Sequence, residues 1–422
     1  MSSPSVTPRT IIHIDLDAFF CAVEEQRDPT LKGKAFAVGG RPQDRGVVAS
    51  CSYMARMRGI HSAMSMAAAL RLCPNLVIVP SRHSEYRLAS NKVMAVLRSR
   101  TSQVEQISID EAFLDVSELV DETKTGRDLA LELQAQIQND LGLSCSVGVA
   151  SNKMVAKIAT DCGKSTVATG NAPHAICVVP AGEEAQFLSV LPVNALWGVG
   201  PKMAAKLNQI GIKTIGQLAQ WPQLDLCRRF GKHGYELSLH TQGIDNREIV
   251  TERESKSVSS ETTFINDVND GDELRSTLSE QALHVAQQLS KQNLQGSTVR
   301  IKIRWTDFSI VTKQITLPQP TAQFEIIEEA AKQLLSQLWL NERPVRLLGV
   351  GVTGFSAVRQ LGLFDFAEPP EFPPKEESVS DGKSQFEAQK QKEKRRMLRA
   401  AMEKLEARFG TSVVQIGAQL KK

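Results

Sequence analysis

The sequence predicts a multidomain protein of mixed α/β and α+β class. Strand-like and helix-like segments interleave up to about residue 170, the pattern of an α/β region. A glycine-punctuated helical stretch follows over 171–243. Residues 257–354 then read strand, helix, strand, strand, helix, strand, a βαββαβ order that suggests a small antiparallel sheet backed by two helices. At 422 residues the chain also exceeds what one core ordinarily organises.

The first unit opens on residues 11–16, an apolar run read as a buried strand, with a helix from near Ala18 to about Arg27. Residues 47–50 read as a strand followed by a helix to Gly59, and 63–72 as an alanine-rich helix closed by Pro74. Strand 76–80 and a helical periodicity over 84–100 come next. Residues 105–109 and 112–116 look like hairpin arms with Asp110 and Glu111 at the turn. Leu129, Leu133 and Ile137 mark a helix over 127–140, then 143–149 is a strand and 151–161 a helix. In the third unit the elements fall at 257–264, 272–292, 298–305, 309–317, 322–340 and 345–353. The first and third units are candidates for a similar sheet topology. Residues 241–256 are polar and charged, as a linker would be. After residue 365 a Pro- and acid-rich segment reads as disordered, and a late helix covers about 384–409.

Composition excludes several classes. Fifty basic side chains against 47 acidic ones give a net charge of +3, too little to announce nucleic-acid binding, so any basic surface must be local. Seven cysteines, odd in number and without Cys-x-x-Cys spacing, argue for reduced thiols in the cytosol and against a zinc site or disulfide framework. The first ten residues are polar, unlike a signal peptide, and no apolar run approaches a membrane span. A cytoplasmic protein without a membrane partner is expected.

Two acidic segments carry the chemistry. The apolar run at 11–20 carries Asp15 and Asp17, and Asp110 and Glu111 sit within 108–115. Alternation places His13, Asp15 and Asp17 on one face if the strand persists, with Ile12, Ile14 and Leu16 on the other. A turn lets both Asp110 and Glu111 address one cation. Hard cations such as Mg²⁺ take oxygen ligands from a few carboxylates plus substrate phosphates. Two of them suit phosphoryl transfer. By itself the Asp-Glu pair is as readily an ordinary turn; with the strand-end aspartates beside it, the metal reading prevails.

Asp-Leu-Asp-Ala-Phe-Phe at 15–20 with Ala-Val-Glu-Glu at 22–25, and Ser-Ile-Asp-Glu-Ala-Phe-Leu-Asp at 108–115, resemble the signature motifs of Y-family translesion DNA polymerases. The bacterial DNA polymerase IV branch matches best, and the resemblance runs from about residue 11 to 364. It implies a right-hand polymerase with palm (11–17 and 77–170), fingers (18–76), helical thumb (171–243) and βαββαβ little finger (257–355), preceded by an extension over 1–10. The thumb and little finger would be joined by a linker over 244–256. Asp15 and Asp110 would ligate two Mg²⁺ ions, Glu111 would complete the site, and Asp17 would support it. The implied reaction is low-fidelity addition of dNTPs to a primer 3′-OH, without proofreading.

Phe20 falls at the family's steric-gate position, where a ring against the sugar leaves no room for a 2′-hydroxyl; Phe19 reads as core. Tyr53 and Arg56, three apart on one helical face near a helix start, would contact the triphosphate. Lys157 would do the same, with Lys153 a weaker candidate. Gly-Lys-Ser-Thr at 163–166 is not a P-loop, because the required earlier glycine is Ile158. It also departs from the family's usual Lys-Pro-Asn-Gly. Residues 197–211, with Gly198 and Gly200, look like a helix-hairpin-helix whose backbone N–H groups face a DNA phosphate.

In the third unit Arg300, Lys302 and Arg304 alternate with Val299, Ile301, Ile303 and Trp305. The cations lie on one face at a spacing of roughly 6–7 Å, near that of phosphates along a strand. Lys256 and Ser257 are expected to join them from a neighbouring strand. Gln360, Leu363 and Phe364 resemble a sliding-clamp docking peptide, here followed by more than fifty further residues. In that tail, residues 390–399 carry six basic side chains and one acid beside a stripe of Leu398, Met402, Leu405 and Phe409. A partner contact and a solvated amphipathic helix explain it equally. The expected partners are primer-template DNA, dNTPs and the clamp, for a monomeric enzyme. A nucleotide cyclase-like palm enzyme would have no use for the hairpin or the basic sheet, and a non-catalytic mutagenesis scaffold would not need intact carboxylates.

Overall fold

The computed structural model describes residues 9–166, 171–340 and 342–355. β1 (Ile11–Leu16) sends Ile12, Ile14 and Leu16 into one core and Ile11 into another. The strand ends before Asp17, and Ala18 turns the chain at φ 44° into α1 (Phe19–Arg27). A small second sheet follows. It comprises β2 (Phe36–Gly39), β3 (Val48–Cys51) and, after α2 (Tyr53–Arg56) and α3 (Met66–Leu72), β4 (Val77–Val79). Ser52 and Ser65 cap the two helices by accepting from the N–H groups of Ala55 and Ala68. β2, the central strand, lies antiparallel to β3 and parallel to β4, and it escapes sequence reading because four buried residues show no period.

The first sheet resumes after α4 (His83–Arg98) with β5 (Val104–Gln106) and β6 (Glu111–Asp115). Next come α5 (Gly126–Leu141), β7 (Cys145–Ala150), α6 (Lys153–Thr166) and β8 (Ile176–Val178). The strand order is β5-β6-β1-β7-β8. β8 pairs in parallel with β7, so this sheet reaches beyond the boundary expected near 170. α4 and α5 cover one face through Tyr86, Met94, Leu97, Leu133 and Ile137. α6 covers the other, closely, because Gly148 on β7 has no side chain: a Cβ there would lie 2.0 Å from the Ala156 carbonyl.

The helical unit contains α7 (Glu184–Ser189), α8 (Pro201–Gln209), α9 (Ile215–Ala219), α10 (Gln223–Phe230) and α11 (Lys232–Thr241). Gly198, at φ 95°, makes the turn before α8, and Gly200 with Pro201 starts that helix. The segment entering this hairpin is a single 3₁₀ turn at Val193–Ala195 rather than a full helix.

The third unit has the expected order: β9 (Ser257–Val268), α12 (Gly271–Lys291), β10 (Gly296–Trp305), β11 (Ile310–Thr321), α13 (Phe324–Leu338) and β12 (Val345–Thr353). Its antiparallel sheet is ordered β11-β10-β12-β9, with the apolar residues of α12 and α13 in the core behind it. The expected similarity to the first sheet does not hold. There the opening strand β1 lies between β6 and β7, whereas here β9 is an edge strand paired only with β12.

The expected linker is half fixed. Asn152 donates to the Gly243 carbonyl at 2.8 Å, and the Met154 N–H donates to Asp245 at 3.1 Å. Lys153 donates to Glu105 at 2.7 Å and to the Glu248 carbonyl at 2.6 Å. Glu105 also accepts the Val250 N–H at 3.0 Å. Arg247 pairs with Asp245 at 2.8 Å and lies over the Trp197 ring, which stacks on Phe113. Residues 243–250 are thus strapped to the first unit.

Candidate active site

The pairing of β1 with β6 builds the site. Asp15 stands directly opposite Glu111 in the register, and directly paired residues project from the same face of a sheet. The Leu16 N–H donates to the Asp110 carbonyl at 3.0 Å, bringing the third acid to the same strand end. Ser108 folds that corner. Its hydroxyl oxygen accepts the N–H groups of Asp110 and Glu111 at 3.1 and 3.0 Å, and its O–H donates to the Asp110 carboxylate. Asp110 therefore lies in the turn, as expected, and Glu111 opens β6.

α6 faces these acids with two lysines seven residues apart, two turns of one helical face. Lys157 pairs with Glu111 at 2.8 Å and Lys164 with Asp15 at 2.6 Å. The environments push the two carboxyls in opposite directions. Burial raises Asp15 to about 7 against the pull of Lys164, with Glu111 and Asp110 adding repulsion. Glu111 is held down at about 2 by His13 and by Lys157. His13 Nε2 stands 3.9 Å from it, beyond hydrogen-bond reach, so Lys157 is the partner in direct contact.

Lys164 is a site residue that sequence reading missed. Rejecting 163–166 as a P-loop leaves that segment without a role, yet α6 runs through it to Thr166. The available signal was helical spacing from Lys157. Lys157, expected at the nucleotide phosphates, is held here by Glu111. Lys153 is turned away, into the strap. Asp17 is buried and accepts from Ser144 at 2.7 Å, Ser146 at 2.8 Å and the His174 N–H at 3.1 Å, the bonding of a structural acid.

Tyr53 and Arg56 do share one side of α2: the guanidinium lies 4.7 Å over the phenol ring. α2 is a single capped turn, so the dipole argument for phosphate is weak. The better signal is the Tyr53 hydroxyl, which is buried without a hydrogen-bond partner. Burial, then Asp17, push its pKa up, and an orphaned buried donor is costly until a ligand oxygen meets it. Phe19 is 2% exposed, whereas Phe20 is half-buried and stacks on Tyr86 at 4.2 Å.

Among the described residues no three Asp, Glu, His or Cys side chains converge to cage an ion unaided. Three neighbouring carboxylates, two of them neutralised by lysines, still form an all-oxygen donor set that fits a hard divalent cation sharing substrate phosphates.

Gly198 and Gly200 lie at the turn into α8. Arg300, Lys302 and Arg304 alternate with the buried Val299, Ile301 and Ile303, as expected. Lys256 precedes β9, and β12 separates β9 from β10, so Lys256 and Ser257 are not on an adjacent strand. Gln360, Leu363, Phe364 and the tail lie outside the described residues.

Residues 14–161 match the impB/mucB/samB family, 255–363 match that family's C-terminal domain, and 194–245 match a DNA polymerase-iota thumb domain. A DNA polymerase IV of Listeria monocytogenes serotype 4b is 40% identical over 352 residues, spanning 83% of this chain and 97% of the relative. This chain belongs to the Y family of DNA polymerases. A DNA polymerase IV of Streptococcus mutans is also 40% identical, over 82% of this chain and 92% of its own length. Among solved structures, a Y-family DNA polymerase chimera superposes with a TM-score of 0.73 at 26% identity, covering 82% of this chain and 99% of the other. An insertion ternary complex of Dbh DNA polymerase gives 0.59 at 27%, with the same coverage. In this Y-family framework the three sheets and the helical unit take the order of a right-hand polymerase. Among the described residues no helix is long and apolar enough to cross a membrane.

Proposed function

We propose that this DNA-directed DNA polymerase performs translesion synthesis with low fidelity and without proofreading, adding dNTPs to a primer 3′-OH with two Mg²⁺ ions. The observation that carries the reading is the cross-strand pairing of Asp15 with Glu111, with Asp110 at the same corner. Asp15, Asp110 and Glu111 would hold the ions. Bound there, the ions would lower the cost of ionising the 3′-OH and of releasing pyrophosphate.

The protein's own groups do the positioning. Gly148 holds α6 against the sheet, which sets Lys157 and Lys164 over the carboxylates. Those ammonium groups keep the acids oriented, and Lys164 is placed to meet an anionic triphosphate arriving at Asp15. Arg56 and the unpartnered Tyr53 hydroxyl supply further donors to that substrate. Phe20, braced by Tyr86, limits space at the sugar. Arg300, Lys302 and Arg304 on β10, Lys256 before β9, and the glycine turn at Gly198 and Gly200 would track the DNA backbone without reading bases. Gln360, Leu363 and Phe364 would dock on a sliding clamp. The enzyme is read as a cytoplasmic monomer.

Asp110→Ala tests the reading. Incorporation on a primer-template should fall at least about a hundredfold while DNA binding is retained, because one carboxylate of the metal site is gone. Near-normal extension by the variant would overturn the metal assignment.

A further inference from the structure

The outward face of the third sheet is not simply cationic. The strand register lays it out in rows. Arg300 pairs with Gln314 on one side and Gly351 on the other; Lys302 pairs with Thr312 and Gly349; Arg304 pairs with Ile310 and Leu347. The next strand continues those rows with Ser259 opposite Gly351 and Glu261 opposite Gly349. Glu261 lies across the bare glycine and reaches Lys302, with both carboxylate oxygens on the ammonium at 2.8 and 3.0 Å. A Cβ on Gly349 would stand 2.6 Å from the Glu261 Cγ, so the glycine makes the slot in which the acid rests. Arg300, by contrast, is hydrogen-bonded to the neutral Gln314. Among the paired positions of these rows, Glu261 is the one acid on the described face.

We propose that Glu261 limits the affinity of this face for DNA by occupying Lys302 in the place of a backbone phosphate. The inference rests on reading the sheet as a DNA-binding face and says which residue tunes it. A carboxylate and a phosphodiester offer the same ligand to an ammonium group: a single negative charge spread over two oxygens. A duplex settling on this sheet must displace Glu261 from Lys302 or share the cation with it. Either way that position gives up part of its counterion release, the main source of non-specific affinity. The two side chains are 29% and 38% exposed, so the sheet gains little stability from the pair and loses little when the acid is neutralised.

The test is binding of the full chain to a primer-template, followed by fluorescence anisotropy across 50–200 mM salt, a range over which about one phosphate contact is resolvable in the slope. Glu261→Gln should bind about three- to tenfold tighter at the low-salt end, with the slope of log K against log salt steeper by about 0.9. In a Lys302→Gln background the same substitution should gain less than twofold. Unchanged affinity and a parallel slope for Glu261→Gln would overturn the proposal, as would an equal gain without Lys302, which would make the acid a diffuse charge only. A third protein, Arg300→Ala with Arg304→Ala, separates the two levels. If it binds as tightly as the original chain, the DNA-face reading itself fails. If it weakens while Glu261→Gln changes nothing, the face stands and the role of Glu261 falls.

Discussion

Lys153 offers the sharpest structural test. Its side chain is 6% exposed and its partner Glu105 17%, so the pair is largely shielded from water. Lys153→Ala leaves the Glu105 carboxylate buried with only the Val250 N–H to satisfy it, and it removes the donor that holds the Glu248 carbonyl. Breaking a fully buried pair costs roughly 3–5 kcal/mol, and partial exposure lowers that to about 2–4 kcal/mol here. For a unit of this size the loss corresponds to a melting shift of roughly 4–16 °C. The strap over 245–250 should also lose its amide protection, because local opening follows the bonds that close it. Differential scanning calorimetry with hydrogen exchange reads both effects. Replacing both partners with neutral side chains of similar size, Lys153→Met with Glu105→Gln, should recover most of the loss, since no charge is left unpaired. A single-variant shift below about 2 °C with the strap still protected would refute the reasoning.

Two further outcomes address the reaction. Phe20→Ala should raise ribonucleotide incorporation relative to deoxyribonucleotides by about tenfold or more, measured on one primer-template with each nucleotide set; an unchanged ratio would move the gate to another residue, Phe19 first. Alanine at Gln360, Leu363 and Phe364 together should leave distributive synthesis intact and remove stimulation by a loaded clamp, because a tether raises effective concentration without new chemistry. If that triple variant keeps full stimulation and deletion of 366–422 abolishes it, the tail is the tether instead.

Much of the fold was legible because its elements carry strong local signals. β10 alternates apolar and basic side chains without a break, and α12 and α13 show long amphipathic periods, so the third unit was readable element by element. β2 and β8 were not, for they are four and three residues long and owe their existence to neighbours already in place. Strand order was equally out of reach. In the first sheet β1, β5, β6 and β7 follow one another in the chain as β9, β10, β11 and β12 do in the third unit, yet β1 is central and β9 peripheral, and nothing local to either strand says which. The strap escapes sequence reading for a related reason. Residues 243–250 are polar in sequence, but their polar groups are spent on Asn152, Lys153, Met154 and Glu105, all more than ninety residues away in the chain.

The candidate site divides along the same line. Asp15, Asp110 and Glu111 were legible as types at a strand end and a turn, and their convergence follows from one antiparallel pairing. What the sequence could not convey was which cations attend them. Lys153, Lys157 and Lys164 all lie on α6, and only the docking of that helix sorts their roles. Lys153, at the helix start, is carried to the strap, while Lys157 and Lys164 reach Glu111 and Asp15. The docking depends on Gly148, whose missing side chain admits the Ala156 carbonyl to the sheet. A side chain at that position would lift α6 and move both ammonium groups off their carboxylates without altering a single acid. Gly148 is therefore as much a determinant of the site's electrostatics as the lysines themselves.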